Sequence, residues 1–201
     1  MTDSQKEAYL TQEQIKERFN ELEQDAKALY KKAKLTVKEI QQIQDYIILS
    51  ITSGIFIPPR RSLDWCAFKI KNIDEAKDNH IAKGKFMFNT YKGSGQKGQQ
   101  TIDVPKPLMP ILKKWIVVNP TDYLLHDTKG NDLNSVKLNQ RLAKIFNKQS
   151  GVNVLRHSYL SEKFADSIKM NADIENTMSK MGSSMSQQKV YVKRLDDIKT
   201  L

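Results

Sequence analysis

Apolar residues recur along this chain at two spacings, and the switch between them marks its elements. From Thr11 onward, Ile15, Phe19, Leu22, Ala26, Leu29 and Tyr30 follow a helical repeat. Thr11, with Gln14 three residues later, has the form of a capping box. The pattern predicts an amphipathic helix ending near Lys34. Alone it has nothing to cover its stripe, so it must dock on the rest of the chain or on a partner. Thr36 and Glu39 repeat the start signal, and Ile40, Ile43, Tyr46, Ile47 and Ile51 give a stripe rich enough for burial on most sides. Gly54 and Pro58-Pro59 stop that helix, and Arg60 and Arg61 follow at once.

The spacing then changes. Leu63, Trp65, Cys66, Phe68 and Ile70 predict a short turn leading into a strand, and residues 72–83 a polar loop. Lys85 to Thr90 alternates as a strand with Phe86 and Phe88 on one face, and a glycine-rich connection over 91–98 leads to a return strand over 101–104. This is a hairpin with a long, flexible tip, stopped by Pro105 and Pro107. Leu108 to Val117 predicts a helix entered through Pro107, with Pro110 in its first turn. After the apolar run Tyr123-Leu124-Leu125 and a turn at Asp127 to Asn131, Asn134 or Ser135 caps a helix. One face of that helix carries Val136, Leu138, Leu142, Ile145 and Phe146; the other carries Lys137, Arg141, Lys144 and Lys148. Three helical segments close the chain, near 153–166, 172–180 and 186–193, with a turn at Met181-Gly182-Ser183-Ser184. The fold class is α+β, mostly helical, with a small antiparallel sheet near residues 66–104.

Composition narrows the function classes. With 201 residues the chain can bury a core without disulfides, and its single Cys66 allows none within one chain and suits a reducing compartment. Asp3, Glu7, Glu13 and Glu17 in the first turns leave no secretory signal, so an intracellular protein is expected. The longest apolar run, Ile47 to Ile57, is broken by Ser50, Thr52, Ser53 and Gly54, and no membrane partner is expected. The formal charge of +10 favours a polyanion, with nucleic acid first. His80, His126 and His157 have no ligand spacing, so neither metal nor other cofactor is expected. Gly93-x-Gly95-x-x-Gly98 has dinucleotide-loop spacing, but it joins two strands instead of opening a helix.

What remains is cationic, together with one late tyrosine: Arg61, Lys92, Arg156 and Tyr191. Phosphodiester transfer builds negative charge on the non-bridging oxygens, and two arginine forks can clamp them. A tyrosine hydroxyl is a weak nucleophile at its reference pKa of about 10, and nearby guanidinium charge favours the phenolate. A lysine on a hairpin can protonate the leaving oxygen.

The order of these residues resembles the catalytic domain of the tyrosine recombinases, the integrase family of DNA strand-exchange enzymes. The resemblance rests on Arg61-Ser62-Leu63-Asp64 after a buried helix, Lys92 in a hairpin, Asn153-Val154-Leu155-Arg156-His157 on a helix, the turn Met181-Gly182-Ser183, and Tyr191. It covers residues 36 to 195, and the wording PPRR and MGSSMSQQKVYVK is most similar to integrases of virophages and large DNA viruses. It implies a tyrosine-recombinase-like domain over 35–195, with a leading helix and linker over 1–34 and a tail over 196–201. The implied activity is cleavage and rejoining of DNA through a 3′-phosphotyrosyl bond on Tyr191. Arg61 and Arg156 would clamp the phosphate and Lys92 would be the general acid, with Asn153 and Ser183 in supporting places and no cofactor. Double-stranded DNA and a homo-oligomer, a tetramer on DNA, are the implied partners; the setting, if viral, is the host cytoplasm or nucleus.

Asn153 stands where the family usually has His or Lys, and Ser183 where it has His or Trp. Asn153 can hydrogen-bond a phosphate oxygen but cannot shuttle a proton at neutral pH. An impaired DNA-binding module of the same fold, and a type IB topoisomerase-like activity, are the alternatives. Arg60 is expected to face the DNA backbone, since Arg61 has the better spacing to Asp64. Lys137, Arg141 and Lys144 are the expected phosphate-tracking face. His157 reads equally as a packed histidine or a phosphate contact. Lys85 and Lys97 rival Lys92. Taken alone, Arg60-Arg61 would be a solvated pair and Tyr191 a core residue between Val190 and Val192.

Overall fold

The structure is a computed structural model that describes residues 7–183. One compact unit runs to Tyr159, and a second begins at Leu160. The first opens with α1 (Gln12–Leu29), whose capping box forms as the sequence predicts: Thr11 Oγ1 accepts from Gln14 N at 3.2 Å, and Gln14 Oε1 accepts from Thr11 N at 3.0 Å. Ile15, Phe19, Leu22 and Ala26 are buried, and α1 packs along α2 (Val37–Thr52). Phe19 meets Tyr46 and Phe56 with ring centroids 5.2 and 5.5 Å apart. The leading helix thus belongs to the first unit's own core, and its stripe is covered by α2.

Helix α2 is buried nearly all round, from Tyr46 to Thr52 without a break. Its hydroxyls are satisfied inside the helix: Ser50 donates to the Tyr46 carbonyl at 2.8 Å and Thr52 to that of Ile48 at 2.7 Å. It ends at Ser53, and Gly54 follows at φ +94°, a backbone conformation that costs glycine nothing. A single helical turn, α3 (Ser62–Trp65), carries Asp64 and Trp65 inward. This is the expected short turn, but the strand it was to lead into does not form: Ala67 follows at φ 57°, and only Lys69 pairs, in isolated bridges to His80 and Tyr123.

The sheet has β1 (His80–Ala82), β2 (Lys85–Phe88) and β3 (Gln100–Asp103), antiparallel in the order β1-β2-β3, with Ile81, Phe86 and Ile102 in register. Residues 72–83 were expected to be loop throughout, yet their last residues form β1. Lys83 and Gly84, both at positive φ, make the two-residue turn that pairs β1 with β2. The glycine-rich connection, expected as a flexible tip, contains a helical turn, α4 (Ser94–Lys97), between Gly93 and Gly98. Phe86 and Phe88 point into a cluster with Trp65 and Phe68, in which Trp65 stands 5.3 and 5.4 Å from the two strand rings. Helix α5 (Leu108–Val118) and helix α6 (Ser135–Ile145) both pack on α2, and Asn134 caps α6 through Lys137 N at 2.9 Å. Helix α7 (Val152–Lys163) follows.

In the second unit, α8 (Ala165–Lys180) starts earlier than the expected 172, and Phe164 and Leu160 carry its hydrogen-bond ladder back toward α7. Its end is a Schellman motif: Gly182, at φ 68°, donates to Ser179 O at 3.0 Å, and Ser183 donates to Met178 O at 2.8 Å. The expected turn is therefore a helix stop whose left-handed position is filled by glycine. The last predicted helix and Tyr191 lie outside the described residues. No helix among the described residues is long and apolar enough to cross a membrane.

Candidate active site

The geometry is built around the two arginines that follow α2. The chain leaves that helix through Gly54, where a Cβ would stand only 2.5 Å from Tyr159 Cδ2 on α7. This close approach sets the start of the arginine loop against the helix that carries Arg156. Arg60 then turns inward. Its Nε donates to Asp64 Oδ2 at 2.8 Å, and Nη1 and Nη2 both donate to Gln100 Oε1 at 3.2 Å. Its guanidinium carbon lies 4.0 Å over the Phe88 ring and 5.6 Å from that of Tyr91. The Arg60 side chain is 15% exposed and that of Asp64 5%.

Arg60, and not Arg61, is the partner of Asp64, so Arg60 is not a free contact for a DNA backbone. The physical reason is the start of α3. Arg61 is the residue before the helical turn, at φ −67° and ψ 151°, where its side chain leaves the turn; Arg60, four residues before Asp64, reaches back over it. Arg61 is exposed, and its side chain has no hydrogen-bond or ion-pair partner among the described residues.

Lys92 is exposed in the connection between β2 and β3 and is likewise without a partner among the described residues. The connection itself is cinched. Tyr91 Oη donates to Gly98 O at 2.9 Å, and Gln99 Nε2 donates to Asn89 Oδ1 at 2.6 Å. Asn79, almost fully buried, donates through one amide to Asp64 O at 3.0 Å and Thr90 O at 2.8 Å, and accepts from Thr90 N at 2.8 Å. The Asp64 turn and the base of the Lys92 connection are therefore joined twice, by Arg60 and by Asn79. Lys85 pairs with Asp103 across the sheet at 3.1 Å. Lys97 is exposed at the end of α4.

On α7, Asn153 and His157 are exposed and Arg156 is half-buried; Arg156 Nη1 reaches Asn153 Oδ1 at 3.5 Å. His157 is thus not packed in a core. The start of α7 is held by Asn139 of α6, whose Oδ1 accepts from Val152 N at 3.1 Å, and Gln12 Nε2 of α1 donates to Ser158 Oγ at 2.9 Å. Ser183 belongs to the second unit and closes its helix stop.

Two of the solved structures similar to this chain are of one recombinase. One is a XerH site-specific recombinase bound to difH substrate in a pre-cleavage complex, at 20% identity and a TM-score of 0.45, covering 79% of this chain and 43% of that one. The other is XerH bound to palindromic difH substrate in a post-cleavage complex, at 18% identity and a TM-score of 0.45, covering 79% and 42%. This chain thus spans about two fifths of the length of those structures. No protein-family model matches it, and no curated protein does.

The expected phosphate-tracking face on α6 divides. Arg141 is engaged inward: Nε and Nη2 bond to Asp45 Oδ1 at 2.8 and 2.6 Å, and the guanidinium also bonds to the side chain and carbonyl of Gln41. It is a strut between α6 and α2, not a free cation. Lys137 pairs with Asp127 at 2.8 Å, and only Lys144 of the three is exposed without a partner among the described residues.

Sequence reasoning missed the buried polar centre beside Arg141. His126 is stacked on Trp115, with ring centroids 6.0 Å apart and planes within 3°. Its backbone N–H donates to Gln44 Oε1 at 2.9 Å, and its carbonyl accepts from Gln44 Nε2 at 2.9 Å. Its Nδ1 faces the Asp127 carbonyl at 2.8 Å; a carbonyl only accepts, so Nδ1 carries the proton and the buried Nε2 is left as a lone pair without a partner among the described residues. Burial first, and then the Arg141 charge, push its pKa down. The available signal was Gln41 and Gln44 on a helix whose apolar stripe is rich enough for burial on most sides, since buried amides demand partners. Cys66 is quiet: burial pushes its thiol up to about 11, far from a thiolate at neutral pH.

Proposed function

We propose that this chain is a DNA-cleaving and rejoining enzyme of the tyrosine-recombinase kind, with Tyr191 as nucleophile, Arg61 and Arg156 as the phosphate clamp and Lys92 as the proton donor. The observation that carries the reading is the tie between the arginine loop and the hairpin: Arg60 bonds both Asp64 and Gln100 and lies on Phe88. Three segments far apart in sequence adjoin through it and through the Gly54–Tyr159 approach. Cations that face solvent without partners are what a site needs before its phosphate arrives.

In the proposed step the Tyr191 oxygen attacks phosphorus, the bond from phosphorus to the 5′ oxygen breaks, and Lys92 gives that oxygen its proton. The phenol proton leaves to solvent, helped by guanidinium charge that favours the phenolate. The phosphotyrosyl ester keeps the energy of the broken linkage for rejoining, so the chemistry needs no nucleotide. Asn153 would hydrogen-bond a phosphate oxygen or orient Arg156. Strand exchange, as opposed to cleavage, requires several copies of the chain on DNA.

The test uses a pool of nicked duplexes of randomised sequence, with the nick placed so that the cleaved fragment diffuses away. The expected result is a denaturation-resistant protein–DNA adduct with the unaltered chain and none with Tyr191→Phe. Arg61→Ala and Arg156→Ala should each lower its rate by about a hundredfold or more, as loss of a transition-state oxyanion contact does. A mobility shift without an adduct would make the chain a non-catalytic DNA-binding module instead. Relaxation of a supercoiled plasmid by the chain alone would favour the topoisomerase alternative.

A further inference from the structure

We infer that Arg60 is a positioning residue, which pins the connection carrying Lys92 to the turn that follows Arg61 and so sets where the lysine ammonium stands relative to that arginine. This rests on the reading of Lys92 as proton donor.

All three nitrogens and one face of the Arg60 guanidinium are engaged by the protein. Nε is on Asp64, both terminal nitrogens are on Gln100, and one face lies on Phe88. A guanidinium so arranged has no free fork to offer a phosphate, whereas Arg61 next to it has its whole fork free among the described residues. The groups that Arg60 joins are not local to it. Phe88 ends β2, Gln100 opens β3, and these two residues are paired with each other in the ladder. Everything between them is the Lys92 connection. Tyr91, whose ring is 5.6 Å from the Arg60 guanidinium, precedes Lys92 directly and closes the connection on Gly98.

Asp64 is the fixed end of the pin, because it is buried next to Trp65 in α3 and its carbonyl is held by Asn79. A lysine at the tip of an unpinned hairpin would sample many positions, and general-acid catalysis depends on reach. The consecutive arginines therefore divide the work: one turns in to fix the frame, and the other turns out.

The test compares Arg60→Lys, Gln100→Ala and Lys92→Ala in the full chain. Amide hydrogen exchange over residues 91–98 reads the pin itself. Adduct formation is then measured on two versions of a nicked duplex that the unaltered chain traps, one with the ordinary 5′ oxygen and one with sulfur in its place. Sulfur departs as a thiolate, whose conjugate acid has a pKa of about 8.5, and needs no proton donor.

Arg60→Lys should speed exchange by about tenfold, the loss expected on removing charge-assisted bonds. It should slow the oxygen substrate by about a hundredfold, the lower range of a lost general acid, and recover to within a few-fold of the unaltered chain on the sulfur substrate, as Lys92→Ala should. Gln100→Ala, the milder change, should follow in the same direction if Arg60→Lys fails to fold. Unchanged exchange overturns the pin. Slow adduct formation on both substrates overturns the positioning role and puts Arg60 on the phosphate. No adduct with either leaving group in the unaltered chain removes the catalytic half of the inference, and exchange alone then decides whether the pin exists.

Discussion

Arg60 and Arg156 are the same side chain held in opposite ways. Arg60 has a buried carboxylate, an amide and an aromatic face, all within one junction. Arg156 has, among the described residues, one long contact to Asn153, its neighbour on the same helix. Arg141 belongs with Arg60, since Asp45 and Gln41 engage it from several sides. Arg61 belongs with Arg156. The contrast separates guanidinium groups that complete the fold from those the fold leaves ready, and it does so without reference to any relative. It also divides the effects of substitution on stability: removing an engaged arginine should cost stability, whatever it also does to positioning, and removing an idle one should leave stability nearly unchanged.

The sharpest form of that contrast is Arg141→Ala against Arg156→Ala. The Arg141–Asp45 pair is 19% and 24% exposed, so removing its cation leaves a largely buried carboxylate. Arg141→Ala should destabilise the chain by about 2–3 kcal/mol, the low end for a broken buried pair because some solvent reaches it. Arg156→Ala should stay within about 0.5 kcal/mol of the unaltered chain. Denaturant midpoints at constant slope measure both. The Arg141 deficit should also depend on pH. Burial already raises the Asp45 pKa in spite of Arg141, so ionising it disfavours the folded state, and stability falls as pH rises from the ordinary value of 3.8 through the raised one. Without Arg141 that window widens, and the deficit should shrink as the medium is acidified toward it. Equal losses from the two substitutions would break the division between engaged and idle arginines.

How much of this was legible beforehand follows from what each feature depends on. Helices α1, α2, α5 and α6 announce themselves, since Thr11, Thr36 and Asn134 cap three of them and Pro107 opens the fourth, and their stripes repeat at helical spacing. Strand β1 did not, because His80-Ile81-Ala82 has too few residues to show alternation and exists through its pairing with β2. The candidate residues could be named from the sequence, but not which of two neighbouring arginines the fold engages. Two adjacent arginines look alike in a sequence. Which one meets Asp64 is settled by where α3 begins, and a one-turn helix leaves almost no trace in the pattern. Gln100, Phe88 and Asn79 could not have been tied to the arginines from sequence, since the contacts join segments far apart in the chain.

A second test carries the comparison to the buried centre next to Arg141. His126 is neutral in the fold because burial and the Arg141 charge disfavour its protonation. A depressed histidine pKa means that the unfolded chain takes up the proton first. Stability is therefore fully present above about pH 6.5 and declines as the pH falls through that value toward the depressed one, at up to one proton, or about 1.4 kcal/mol per pH unit. His126→Phe keeps a ring against Trp115 and removes the titration, so its stability profile between pH 7.5 and 5.5 should be flatter than that of the unaltered chain by up to that slope. Parallel profiles would mean that the histidine is not held neutral.

The smallest effect expected concerns the start of α7, on which the readiness of Arg156 depends. Asn139 of α6 accepts from Val152 N, and the same oxygen would stand 2.8 Å from a Cβ placed on Gly151. Gly151 is therefore where it is because Asn139 is in the way, and Asn139 is in the way because it satisfies an amide that the first turn of α7 cannot. Asn139→Ala should cost about 1 kcal/mol, the usual size of a lost cap. Gly151→Ala should cost a similar amount where Asn139 is present, since the amide oxygen must move off its donor to admit the methyl. Once Asn139 has been removed, the alanine meets no obstacle, and its lower unfolded-state entropy should make it neutral or slightly favourable. The two losses are then one loss counted twice, and the double variant should be more stable than the sum of the single ones by about 0.5–1 kcal/mol. Simple additivity in denaturant midpoints would mean that the amide does not reach across to α7, and that the helix bearing Asn153 and Arg156 takes its position from some other contact.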